Sequence, residues 1–332
     1  MKKQVFLILL TILIVFVSTT QGDAKPFYDG KVLKIIVATK PGGGYDYWAR
    51  LVGAYMEKNL PGSTIIVKNV PGAGHVIGTN ALYMSKPDGL TIGTFNRAVG
   101  LTQLVGMKGV KFDFANFSWL GSPNSEIYSF MVRSDIYKNL DDVLKADNVR
   151  LATTGLGAIS YITPLLFYQM LGQTNYTVAT GYSGAESEMA LMRKEMDGTW
   201  GSFESLKAVV DGGFGTCVVL IGKKQPAGFE KVPLLKEIIK DEKNKTVVEL
   251  LNGLNIVGRP FAAPPKVPAD RLKVLQDAFY KACHDPEFIK SAAKSEKEVG
   301  FVGPDDVDVW AKSMLSLPPD VVKLIKKAYG ID

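Results

Sequence analysis

Two stretches decide how this chain folds: Pro41-Gly42-Gly43-Gly44-Tyr45-Asp46 and, further on, Pro71-Gly72-Ala73-Gly74-His75-Val76-Ile77-Gly78. Each follows a short β-branched run (residues 33–38 and 64–68) and precedes a helix-like pattern. Glycine lets bare backbone N–H groups approach a ligand, and a helix N-terminus attracts negative charge. Two such loops aimed at one point build an anion-sized pocket from main chain, where the usual catalytic residue types are nearly absent.

Outward from these loops the chain alternates strand, loop and helix. Trp48, Leu51, Val52, Tyr55 and Met56 have the spacing of an amphipathic helix, with Asp46 placed to cap its start. A second helix from Val76 stops before Lys86-Pro87-Asp88-Gly89, and a third strand covers 90–95. This βαβαβ order predicts a parallel sheet with right-handed crossovers. After a looser segment (106–121), strands are expected at 128–133, 149–153, 176–180, 198–203 and 216–221. Helices are expected at 140–145, 159–171 and 185–194. Ligand loops gather at the carboxyl ends of parallel strands. That singles out Thr154-Gly155-Leu156-Gly157-Ala158-Ile159-Ser160, Gly181-Tyr182-Ser183-Gly184 and Gly201-Ser202-Phe203-Glu204. A lysine-rich helical stretch (237–252), an apolar run (255–263) and a helical tail (269–283, 286–294, 305–315) complete the chain.

At 332 residues and 46% apolar composition the chain suits two medium domains. The net charge of +6 is spread thinly, which argues against nucleic acid and allows weak steering of an anion. Residues 1–24 read as a secretory signal: Lys2 and Lys3, an apolar run over 5–17, then small polar residues to a cleavage point after Ala24. Export follows. Cys217 and Cys283 read as two buried free thiols. With His75 and His284 the only histidines, no metal site is expected.

Two enzymatic readings compete. Gly72-x-Gly74-x-x-x-Gly78 is one residue longer than a dinucleotide fingerprint, and Asn96-Arg97 stands where an acidic residue is needed. No cofactor is therefore assigned. Gly181-Tyr182-Ser183-Gly184-Ala185 sits where a hydrolase elbow would, but Ala185 breaks the pattern and neither histidine is an evident base. A secreted serine hydrolase or esterase using Ser183 stays as the alternative. Glu186 and Glu188 read as charges compensating a helix dipole. Tyr45 is placed to cover a ligand, and Trp48 to pack in the core. Arg97 follows the third strand, where it either grips a carboxylate bidentately or forms a salt bridge.

The ordered set of motifs resembles a known family, the periplasmic solute receptors of tripartite tricarboxylate transporters, often called Bug receptors. PGGGYDYWAR (41–50) resembles the family's P-G-G-x-x-D-x-x-A-R, and NVPGAGHVIG (69–78) its N-x-P-G-A-G-G-x-x-G. KPDGLTI (86–92), GYSGA (181–185), AAPPKVPADRL (262–272) and DPEF (285–288) follow in the family's order. The resemblance implies an α/β type II periplasmic-binding-protein fold, two lobes closing on a small organic anion. Residues 25–126 and 256–332 would form lobe 1, and 127–255 lobe 2. The protein would be a monomeric receptor, not an enzyme, passing its cargo to integral-membrane permease subunits. Carried over from the family, Gly43, Gly44, Tyr45, Asp46, Ala73, Gly74 and His75 would grip one carboxylate. Thr154, Gly155, Ser160, Tyr182 and Ser202 would form the facing wall.

Departures from the family pattern are specific. His75 replaces a glycine, Ala158 and Tyr161 replace a common serine and histidine, and Gly181 replaces a proline. A Phe-Asp pair often found around Trp200-Gly201-Ser202 is missing, and Arg97 is additional. An extra cation and one fewer acid point to a dicarboxylate, aliphatic or terephthalate-like, rather than an amino acid. If Arg97 faces away, a monocarboxylate fits instead.

Overall fold

A computed structural model describes residues 26–331; the expected signal segment, 1–24, lies outside them. The first glycine loop joins β1 (Val32–Val37) to α1 (Gly44–Lys58), and the second joins β2 (Thr64–Asn69) to α2 (Val76–Tyr83). β3 (Thr91–Thr94), α3 (Gly100–Leu104) and β4 (Ser118–Gly121) follow. β10 (Phe261–Ala263) inserts between β3 and β4, giving a five-stranded sheet of order β2-β1-β3-β10-β4. β1 pairs in parallel with both neighbours, whereas β10 runs antiparallel. The sheet is therefore mixed rather than wholly parallel. β1 is buried along nearly its whole length because helices cover both faces, and edge strand β2 alternates between exposed and half-buried.

The second sheet has the order β7-β6-β8-β5-β9, built from β5 (Tyr128–Arg133), β6 (Val149–Ala152), β7 (Tyr176–Ala179), β8 (Gly198–Ser202) and β9 (Gly215–Ile221). Its one inverted strand is β5, antiparallel to both β8 and β9. Around it lie α4 (Leu140–Lys145), α5 (Ile159–Met170), α6 (Gly184–Met192), α7 (Phe203–Asp211), α8 (Leu235–Ile238) and α9 (Lys245–Leu254). The chain thus crosses between sheets twice, near 122–127 and 255–260. Two α/β sheets of this order, each with one inverted strand, make the two-lobed type II periplasmic-binding-protein fold.

The tail forms α10 (Ala269–Cys283), α11 (Pro286–Lys294), α12 (Pro304–Leu315) and α13 (Pro319–Ala328). α10 and α11 close the first sheet's core, where Trp48 lies 6.0 Å from Phe288 between ring centroids. α13 packs instead on α5 of the second sheet, with the Tyr329 hydroxyl donating to Leu156 O at 2.9 Å. The expectation that all of 256–332 belongs with the first lobe fails at this helix. Its apolar stripe (Val321, Ile325) is buried in a continuous core that draws on both lobes, with Ile162 and Leu166 from the second and Phe114 and Trp310 from the first. Cys217 and Cys283 are free and buried.

Candidate functional site

Where the lobes meet, a cavity of about 80 Å³ is lined by residues from both, among them Gly43, Gly44, Tyr45, His75, Thr154, Ser160 and Ser202. Five helices begin at its wall. α1 contributes Gly44 and Tyr45, α2 its N-cap His75, α5 Ile159 and Ser160, α6 Gly184, and α7 its N-cap Ser202. No side chain of the N-cap residue caps α1, α2, α5 or α7, so their first N–H groups are left to other acceptors. Several of these are already used: on α5 Ile159 N donates to Asn96 Oδ1 across the cleft at 2.9 Å, on α2 Val76 N and Ile77 N donate to Ala73 O and Gly72 O, and on α7 Phe203 N donates to Ile127 O. Aligned helix starts and uncapped amides favour an anion at this point.

The first loop is braced from behind. Asp46 accepts from Gly42 N at 3.0 Å, from Arg50 Nε and Nη2 at 3.0 and 2.9 Å, and from Asn69 Nδ2 at 2.9 Å. Burial alone would raise its pKa, but the bonds from Arg50, Gly42 and Asn69 prevail and lower it. Asp46 therefore holds the loop's shape and does not line the cavity. Tyr45 does line it. Its hydroxyl accepts from Arg97 N at 3.2 Å, and its ring lies 4.2 Å from the Arg259 guanidinium.

The second loop bends through four consecutive residues with positive φ, including Ala73 (46°) and His75 (80°). A left-handed non-glycine residue is strained, and such strain persists only where its surroundings enforce it. Here the second lobe packs directly against the bend. A Cβ on Gly74 would stand 2.5 Å from Gly157 N and 2.6 Å from Leu156 N. Gly74 and Gly155 are thus contacts between the lobes, and Ala73 is exposed. His75 reaches the cavity with its imidazole buried, and its pKa is pushed down to about 3 by burial and by Arg259. It is a neutral ring there, its Nδ1 without a hydrogen-bond partner among the described residues.

Arg97 corrects the expectation most sharply. Fully buried, it pairs with Glu126 at 2.6 Å and donates to Gly258 O (3.1 Å) and Asn255 Oδ1 (2.7 Å). It is absent from the cavity wall, its terminal nitrogens turned to the crossing segments. Tyr182 also lies off the wall, half-buried, its N–H held by Thr153 O at 3.1 Å. Ser183, the hydrolase candidate, is the N-cap of α6. Its Oγ accepts from Glu186 N, and Glu186 Oε2 accepts from Ser183 N at 2.7 Å, a complete capping box.

Several lining residues were not singled out from the sequence. Arg259, Asn96, Tyr128, Thr199 and Trp200 arrive from strand ends and crossings distant in sequence. Glu188, read as a dipole charge, also lines the cavity, and burial raises its pKa to about 7, against a lowering by Lys297. Its companion Glu186 pairs with Lys40 of the other lobe at 2.9 Å.

A cleft between two type II lobes, walled by helix starts, defines a periplasmic solute-binding protein. The chain belongs to the tripartite tricarboxylate transporter family receptors, whose family model matches residues 48–313. It is 24% identical over 290 residues to a UPF0065 protein of Bordetella pertussis, covering 84% of this chain and 83% of that protein. The structure of periplasmic binding protein BugD superposes with a TM-score of 0.76 at 20% identity, over 92% of this chain and 99% of that one. MatC from Rhodopseudomonas palustris with bound malate superposes with a TM-score of 0.74 at 17% identity, over 89% and 99%.

Proposed function

We propose that this protein is an exported periplasmic receptor that closes around a small dicarboxylate and hands it to the membrane permease of a tripartite carrier. One observation carries the reading: helix N-termini from both lobes converge on one cavity that also holds Arg259. The malate bound by the similar MatC is of the same chemical class. Affinity is shared among several sources. Each helix start supplies about 0.3–1 kcal/mol, whereas a micromolar ligand needs about 8 kcal/mol. Direct bonds from amides and from the hydroxyls of Thr154, Ser160 and Ser202, with burial on closure, supply the rest. Binding and closing are therefore one event. The receptor acts as a monomer and transforms nothing.

A thermal-shift panel tests the proposal. Malate, succinate or adipate should raise the melting temperature and the matching diesters should not. A panel in which no acid shifts melting, or esters shift it equally, would refute it.

A further inference from the structure

Where the chain crosses between the lobes, two arginines and one glutamate are shut inside the protein. Glu126 pairs with Arg97 at 2.6 Å through one carboxylate oxygen and with Arg259 at 2.7 Å through the other. All three side chains are more than nine-tenths buried. The crossings are stitched around them: Glu126 N donates to Asn255 O, Gly258 N to Asn124 O, and Arg259 N to Ser122 Oγ. Two buried cations share one buried anion. A buried charge is costly unless paired, and among the described residues the two guanidiniums have one directly paired carboxylate between them, with Glu204 acting on Arg259 only at longer range.

The two arginines are not equivalent. Arg97 spends its terminal nitrogens on Glu126, Gly258 O and Asn255 Oδ1, away from the cavity. Arg259 borders the cavity and Arg97 does not, while the Nε of each is buried without a hydrogen-bond partner among the described residues. Its guanidinium lies over the Tyr45 ring and against Gly44. A Cβ at Gly44 would stand 2.6 Å from Arg259 Nη2, so this glycine clears room for the cation beside the start of α1. The neighbouring His75 is a neutral ring, so it brings no second positive charge to the cavity beside Arg259.

We infer that Arg259, held in place by Glu126, is the counter-cation for one carboxylate of the ligand and so sets the preference for acids over neutral analogues. This rests on the receptor reading above and adds to it a named specificity residue that reaches the site through the crossing segments. The ligand carboxylate completes the charge balance of the buried group, with Arg259 shared between it and Glu126.

Titration calorimetry on the mature protein tests this with succinate, malate and adipate, each against its neutral diamide. The wild type is expected to favour the acid strongly. Arg259→Gln should weaken the acid about fifty-fold or more while changing diamide affinity less than about threefold, a coupling that a merely structural role would not produce. Arg259→Lys keeps the charge but loses the planar fork, and should fall between. Circular dichroism verifies folding. If Arg259→Gln does not fold, Arg259→Lys and the wild-type ratio decide. Acid affinity within threefold of wild type in a folded variant, or a wild-type acid-to-diamide ratio below threefold, overturns the inference and leaves the receptor standing. No binding of any acid to the wild type removes both.

Discussion

Gly157 of the second lobe meets Gly74 of the first backbone to backbone, so closely that a Cβ on Gly157 would stand 2.1 Å from the Gly74 carbonyl oxygen. The contact exists only while the lobes are together. Gly157 does not need a left-handed backbone, so alanine there adds bulk without strain. Gly157→Ala should leave the melting temperature of the free protein within about 2 °C, yet weaken ligand binding by about tenfold or more, because closure is obstructed. Calorimetry beside thermal unfolding checks this. Unchanged affinity would show that closure does not bring these loops together.

Glu188 carries a pH signature. Its pKa in the folded protein, about 7, lies above the ordinary 4.5, chiefly through burial. Its contribution to stability is thus fully present below about 4.5 and lost as pH rises through about 7. Glutamine mimics the protonated acid. Glu188→Gln should therefore melt about 2–4 °C above wild type at pH 8, with the difference gone near pH 4. Melting curves across that range decide. A constant offset would mean that Glu188 does not titrate there.

Lys40 and Glu186 join the lobes at the rim, 2.9 Å apart and both about half exposed. Exposed ion pairs contribute at most about 1 kcal/mol and are screened by salt. Lys40→Gln leaves the α6 capping box intact and should weaken ligand binding no more than about fivefold, a gap that closes at high salt. A larger, salt-insensitive loss would place Lys40 on the ligand.

Ser183→Ala removes an N-cap. Stability should fall by about 1 kcal/mol in thermal or denaturant unfolding. Ester turnover by the wild type that disappears in this variant would instead revive the hydrolase.

The glycine loops were legible because glycine's use is local: strand end, bend and helix start lie within ten residues. Strands and most helices followed from hydrophobic periodicity. α7 has no local start signal because it begins at Phe203, directly after β8, with no loop between them. β4 was hidden in an aromatic segment without clear alternation. The site divided along the same line. Gly43, Gly44, Tyr45, His75, Thr154, Ser160 and Ser202 belong to local turns and reach the cavity. Arg97 could not be assigned and Arg259 gave no sign of its role, because both depend on Glu126, brought in by a crossing segment. The one local trace of Arg259 was Gly44, whose missing side chain makes its room.

A crystal structure of the protein with a bound dicarboxylate tests the central claim most directly. One carboxylate should lie within about 2.7–3.2 Å of backbone N–H groups at the starts of α1 and of a helix of the facing lobe, with Arg259 against it. An acid bound elsewhere, or a cleft whose two glycine loops turn away from it, would contradict the account.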